Sequence, residues 1–396
     1  MKAFLNKMKG ALALALSMSL FSNTIFAAEP LSAEAQGVKS VPQTEVSAEE
    51  IAALALPQMT MEEALKRAKK HNTSLRDIAD QIEMMQDADE KIYDRVGSVN
   101  IPNYDYKKWT NAGWHALVTS VFQLDNGIKQ ARLGEEVANV GVEASVKGAF
   151  TGIVLLEDGL ELSKQSAALA KTALQQGQRK HELGILSAYE LEKLEIAAKQ
   201  AQDTVAVTEA QLEQQYISFN HLIGENADTR YDFVYAVDFT PFEMSQTLDQ
   251  YVTDKTKNDV SVKIQELAVE QAKFTQNYRS EADSGDDDAD ELNYDKAKRN
   301  LKTTKETMET NIRNQYLSIK NLETQYASAQ ADVAKAQTDY RSAQVNLQAG
   351  NVTKMVVDQA EMGVTAAENA LKKLVYEHDL KVFQFENPSI LGAAGA

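Results

Sequence analysis

The side chains able to do chemistry are few and scattered. Five histidines, His71, His115, His181, His221 and His378, have no nucleophile beside them and no metal-ligand spacing. They read as surface or packing residues. One dense carboxylate cluster exists: Asp283, Asp286, Asp287, Asp288, Asp290 and Glu291. Clustered carboxylates are hard-cation ligands, but this run lacks the spacing of an EF-hand loop, so 283–291 reads as a solvated acidic loop. There is no cysteine, which excludes disulfides, thiolate metal sites, thiol catalysis and a cysteine-borne lipid. No phosphate-cradling glycine loop and no Gly-x-Ser-x-Gly turn occurs. No catalytic residue, no cofactor-binding residue and no metal ligand is therefore assigned, and the chain is not expected to be an enzyme. A net charge of −17 argues against nucleic acid, whose phosphates need a basic face.

Two short glycine turns carry the functional expectation instead: Leu183-Gly184-Ile185-Leu186-Ser187 and Ala349-Gly350-Asn351-Val352-Thr353. Each joins two helices that must be very long. Steps of four and three from Leu301 give Lys305, Met308, Ile312, Gln315, Ile319, Leu322, Tyr326, Ala329, Val333, Ala336, Tyr340, Ala343 and Leu347, with no Pro or Gly between Asn293 and Leu347. That period of 3.5 marks a helix which supercoils against partners. At 1.5 Å per residue it is roughly 80 Å long, too long for one compact globule to bury. After Gly184, Ser187 caps the next helix, with Glu190 at the capping-box position. That helix carries Leu191, Leu194, Ala198, Ala201, Val205, Thr208, Leu212, Gln215, Phe219 and Leu222, and stops at Gly224. The last helix is expected to present Val356, Ala360, Gly363, Ala367, Ala370 and Leu374 on its inner face.

Setting Gly184 on Gly350 brings Leu186 onto Val352, Ser187 onto Thr353, Leu191 onto Val357 and Ala201 onto Ala367. Both halves read as short helix, medium helix, crossing, very long helix, glycine turn, medium helix, Gly stop. This is a tandem internal duplication. The expected organisation is an export signal over 1–27, with Lys2, Lys7 and Lys9 before the apolar run Ala11–Phe21. A linker follows at 28–57, then a first helical repeat at 58–224, a second at 225–392, and a tail at 393–396. The fold class is all-α: long antiparallel coiled-coil hairpins with little or no β. Gly127, Gly134, Gly141, Gly148, Gly152 and Gly159 lie in the first long helix, mostly at steps of seven. Since each costs about 1 kcal/mol against Ala, the series points to close approach of another backbone. Trp109 and Trp114 fit either a membrane interface or a cap on the end of the rod.

With the opening Met59-Thr60-Met61-Glu62-Glu63-Ala64-Leu65, Asn72-Thr73-Ser74-Leu75, the two turn motifs and the Gly-terminated helix ends, the sequence resembles the TolC family of outer-membrane efflux proteins from about Pro57 to Gly392. The resemblance implies a homotrimer whose helices close into a duct for efflux or secretion. The two turns would be tips that dock a periplasmic adaptor and, through it, an inner-membrane pump. The location would be the outer membrane or the wider cell envelope. Family members also carry a membrane-spanning β-hairpin in each half. Here the second slot, Ser280–Leu292, is short and acidic, and the first, Val99–Leu124, has Lys107 and Lys108 in its middle. The barrel is expected to be missing or reduced, which leaves membrane contact in question. It also keeps a second reading open, a non-conducting envelope or cell-surface coiled-coil spacer.

Overall fold

A computed structural model describes residues 56–97, 107–109, 112–280 and 287–390. The export signal, most of the linker, acidic residues 281–286 and the tail lie outside the described residues. The chain runs β1 (Gln58–Thr60), α1 (Met61–His71), α2 (Thr73–Val96), β2 (Lys107–Trp109), α3 (Ala112–Glu182), α4 (Ala188–Ile223), β3 (Asp232–Val234), α5 (Leu248–Asn258), α6 (Val260–Asn277), β4 (Tyr278–Ser280), α7 (Asp287–Gln348) and α8 (Lys354–Glu386). It is all-α in class. The four strands are three residues each and pair in parallel, β1 with β3 and β2 with β4.

Local chemistry sets the helix starts. The Thr60 hydroxyl accepts from Glu63 N–H at 3.2 Å, and the Asn72 side chain accepts from Leu75 N–H at 2.9 Å. Thr247 and Gln250 form a capping box ahead of α5, and Asp259 accepts from Ser261 N–H at 2.8 Å ahead of α6. These bonds satisfy amide donors that a helix start leaves without partners. The acidic run is not a loop throughout. Residues 287–291 form the opening of α7, where carboxylates face the positive end of the helix dipole.

Two long hairpins follow from this. α3 packs against α2 along its first part and against α4 along its second; α7 does the same with α6 and α8. α3 also packs on α8 and α6, which joins the two hairpins. The seam from Leu301 to Ala343 lies inward, every position buried or half-buried, and Leu347 at its end is exposed. On the last helix the expected inner face is only partly covered: Ala360, Ala367 and Leu374 are half-buried. Val357 is buried, while Val356, Gly363 and Ala370 face out. α8 has apolar residues on two sides, so spacing alone did not choose between them.

The core sits mid-rod, in a belt. Met59, Ala64, Ala68, Val146, Phe150, Ile153, Phe219 and Ile223 form its first half. Val252, Met308, Ile312, Ile319 and Phe385 form the second. A smaller cluster, Val118, Val121, Phe122, Phe274 and Tyr278, closes the end where β2 and β4 pair, and Trp114 packs on it. Trp114 thus caps the rod. Toward the glycine turns burial fades. Between residues 155 and 215 only Gly177 is buried, and between 320 and 375 only Ala343 and Val357.

Within one chain the glycine series meets no other backbone. A Cβ added at Gly134, Gly141, Gly148 or Gly159 would meet nothing within 4 Å. At Gly127 it would meet the Met85 sulfur, and at Gly152 the Gln215 side chain. Where a neighbour is met it is a side chain of a hairpin partner, Met85 of α2 or Gln215 of α4, and not a backbone.

Candidate functional site

Both turns end their long helix in the same way. Gly184 (φ 72°) and Gly350 (φ 76°) are left-handed, a conformation that costs other residues about 1–2 kcal/mol. Gly184 N–H donates to His181 O and Ile185 N–H to Lys180 O, each at 2.8 Å. Gly350 N–H donates to Leu347 O at 3.0 Å and Asn351 N–H to Asn346 O at 2.8 Å. This is the Schellman arrangement, which satisfies the last carbonyls of a helix. The register 180-181-184-185 onto 346-347-350-351 is the one the sequence superposition gives, so the two turns match bond for bond.

The side chains around the two turns diverge. Leu183, Ile185 and Tyr189 stand 73%, 71% and 66% exposed; the equivalent positions hold Ala349, Asn351 and Met355. Ser187 and Glu190 form a complete capping box, and the His181 ring bonds Leu186 O at 2.8 Å through Nδ1. Thr353 makes no side-chain cap bond, and Val356, standing where Glu190 does, has no carboxylate to return one. Packing beneath the turns is swapped in size. Gly177 leaves room for Leu194 and Leu186, and a Cβ there would lie 2.3 Å from Leu194 Cδ1. The second repeat has Ala343 at that position, and the smaller Ala360 and Val352 where the first has Leu194 and Leu186. Of the ten turn residues singled out from the sequence, Leu186 and Val352 are half-buried and the other eight exposed. The structure places the ten as two separate tips, each at the end of its own hairpin. Tyr189, one turn into α4, was missed because an aromatic two residues into a helix reads as packing.

A second assembly of polar contacts lies in the belt. The segment between β3 and α5 crosses α7 and α8 as a strap. Tyr235 stacks on Tyr376 with centroids 5.0 Å apart, and its hydroxyl donates to Asp379 at 3.0 Å. Asp379 also pairs with Lys147 of α3 at 2.8 Å. Phe239 stacks on Tyr326 at 3.6 Å. Phe242 N–H donates to Glu323 at 2.8 Å, while Lys320 donates to Phe242 O at 2.7 Å and to Glu323. Burial opposes the Glu323 charge, yet Lys320 and Phe242 N–H outweigh it and hold the carboxyl below its usual range. Burial, Asp379 and the hydrogen bond to it push the Tyr235 hydroxyl upward. Asp158 accepts from Lys372 and, through its carbonyl, from Asn369 at 3.2 Å. These bonds lock α3, α8 and the strap together. They are directional and specific, and none of them faces a ligand-sized enclosure. Sequence reading missed them because the partners are far apart in the chain; Lys147 and Asp379 share no local pattern.

No family model matches the chain, and no curated protein matches it in sequence. Solved structures do. The Campylobacter jejuni CmeC outer membrane channel superimposes with a TM-score of 0.63 at 13% identity, over 90% of this chain and 94% of that one. The long-helix topology is therefore shared over nine-tenths of this chain. The fold is the TolC fold. The open-state Neisseria gonorrhoeae MtrE outer membrane channel gives a TM-score of 0.56 at 12% identity, covering 93% of this chain and 99% of that one. The Vibrio cholerae outer membrane protein VceC gives 0.55 at 12% identity, covering 85% and 96%. TolC-like geometry thus persists here with almost none of those sequences retained. It can, because a heptad seam and a glycine cap specify long hairpins through residue class rather than identity.

Proposed function

We propose that the protein is an exported, trimeric, TolC-like duct of the cell envelope, working in efflux or secretion with a periplasmic adaptor and an inner-membrane pump. The observation that carries this is the TolC fold over nine-tenths of the chain. The channels it superimposes on are outer membrane channels by name, and the transport role of this chain is taken by analogy with them. Two features of the chain support assembly. Its rods are only half-covered toward the tips, and a two-helix hairpin cannot shield both sides of a seam. The outward line Val356, Gly363 and Ala370 on α8, with the open glycines of α3, offers narrow faces against which neighbouring copies fit. The tips dock the adaptor, chiefly through Leu183, Ile185 and Tyr189, with Gly184, Leu186 and Ser187 holding their shape. Ala349, Gly350, Asn351, Val352 and Thr353 form the second, more polar contact.

The test is export by cells carrying Leu186→Asp or Gly350→Pro. Loss of export with the trimer intact by chemical cross-linking supports the duct. Unchanged export of every compound tried, with the protein still trimeric, supports the spacer reading instead.

A further inference from the structure

We infer that this chain forms only the aqueous part of the conduit and leaves the crossing of the bilayer to a different polypeptide. The inference rests on the duct reading above.

A bilayer can be spanned only by apolar helices or by a closed β-barrel, because every backbone polar group must find a partner away from water. A barrel strand needs about 9–11 residues, and the hydrocarbon core is about 30 Å thick. Barrel strands in this fold would have to leave and re-enter the rod at the two crossings, and both crossings are tied down at their feet. β2 pairs with β4, Lys107 opposite Tyr278 and Trp109 opposite Ser280. Tyr278 is buried, stacks on Phe274 and on His115, each with centroids 4.9 Å apart, and its carbonyl meets His115 Nε2 at 3.2 Å. Only the residues from Ser280 to Asp287, where α7 begins, separate the two anchored ends of the second crossing. Fully extended at about 3.3 Å per residue, that chain is about 23 Å long. It must go out and return, so it rises no more than about 12 Å. The first crossing is free from Gly97, the cap of α2, to Lys107. Its contour of about 33 Å allows a rise of about 17 Å. Neither reaches across the ~25 Å apolar band of a membrane barrel, and three copies of two short crossings do not change the height of any one.

The rods do not supply a span either. Among the described residues α3 alone is long and apolar enough by composition. Its apolar middle is committed to the belt, with Val142, Val146, Phe150 and Ile153 packed under β1, β3 and α4. Lys147, in the same stretch, pairs with Asp379 of α8. Placing that stretch in lipid would take the belt and its ion pairs with it. The apolar run Ala11–Phe21 is assigned to the export signal, and the test is made on the chain from Glu29 onward.

In that test the exported protein is extracted from cell envelopes with alkaline carbonate, without detergent, and added to planar lipid bilayers. The expected result is recovery in the aqueous fraction as a trimer by light scattering, with no conductance above the bare-lipid baseline. Discrete conductance steps from the protein alone, or retention in the carbonate-resistant pellet, would overturn the inference. The duct reading fails separately. If Leu186→Asp leaves export untouched while conductance is absent, the chain is a spacer. If it abolishes export while the protein conducts alone, the duct stands and the non-spanning claim falls.

Discussion

The two tips share one backbone and carry different surfaces. Each ends in a left-handed glycine with the same pair of capping hydrogen bonds, yet the first projects Leu183, Ile185 and Tyr189 and the second Ala349, Asn351 and Met355. Beneath them, the first repeat pairs Gly177 with Leu194, and the equivalent positions of the second hold Ala343 and Ala360. Duplication preserved what the turn requires and released what it does not. The hydrogen bonds and the glycine are fixed by the end of the helix. The exposed residues are fixed only by what they touch outside the chain. Two exposed leucine-sized side chains at the end of a rod are the kind of contact that partner binding rewards and stability does not.

That contrast can be broken at the first tip. Replacing Leu183 and Ile185 together by Asp should reduce export by at least tenfold while the thermal midpoint stays within a degree or two, since neither side chain is buried. The paired change Ala349→Asp and Asn351→Asp at the second tip should lower export far less. Equal losses at the two tips would erase the distinction.

Next in size come the glycines. Gly224 caps α4 in the same left-handed conformation, but a Cβ there would lie 2.2 Å from the His71 ring, whereas Gly184 and Gly350 face open space. Gly224→Ala should cost upwards of about 2 kcal/mol in denaturant unfolding, strain and overpacking together. Gly184→Ala and Gly350→Ala should cost about 1 kcal/mol each. The capping residues separate the tips more finely. Ser187→Ala should cost about 1 kcal/mol and Thr353→Ala only a few tenths, since only Ser187 has a capping bond to lose. Smallest is the pH response of the belt. Glu323 has its carboxyl held below the ordinary value, so its contribution is full above the unfolded value of about 4.5. It is lost as pH falls through the lower, folded value. Acid unfolding followed below pH 4.5 should shift in Glu323→Gln.

Much of this was legible in advance. The α7 seam, the α4 seam and both glycine turns follow from spacing and from glycine's tolerance of positive φ. Superposing the repeats located matching hydrogen bonds. Three things were not legible. How deeply each position of the α8 face is covered depends on how the other helices lie around it, and period alone is blind to that. Whether the glycines of α3 meet a backbone depends on where α2, α4 and α8 sit around that helix. The strap, with Lys147, Asp379, Tyr235 and Glu323, joins residues remote in sequence, and no local rule brings them together.

The sequence by itself determined the long hairpins, their turning points and their duplication, because helix periodicity and helix termination are local properties of the chain. Only the tertiary structure decided which faces stay uncovered, how the belt is pinned, and that β2 and β4 anchor both crossings at their feet. Those outcomes are set by contacts between distant segments, and no single stretch of residues contains them.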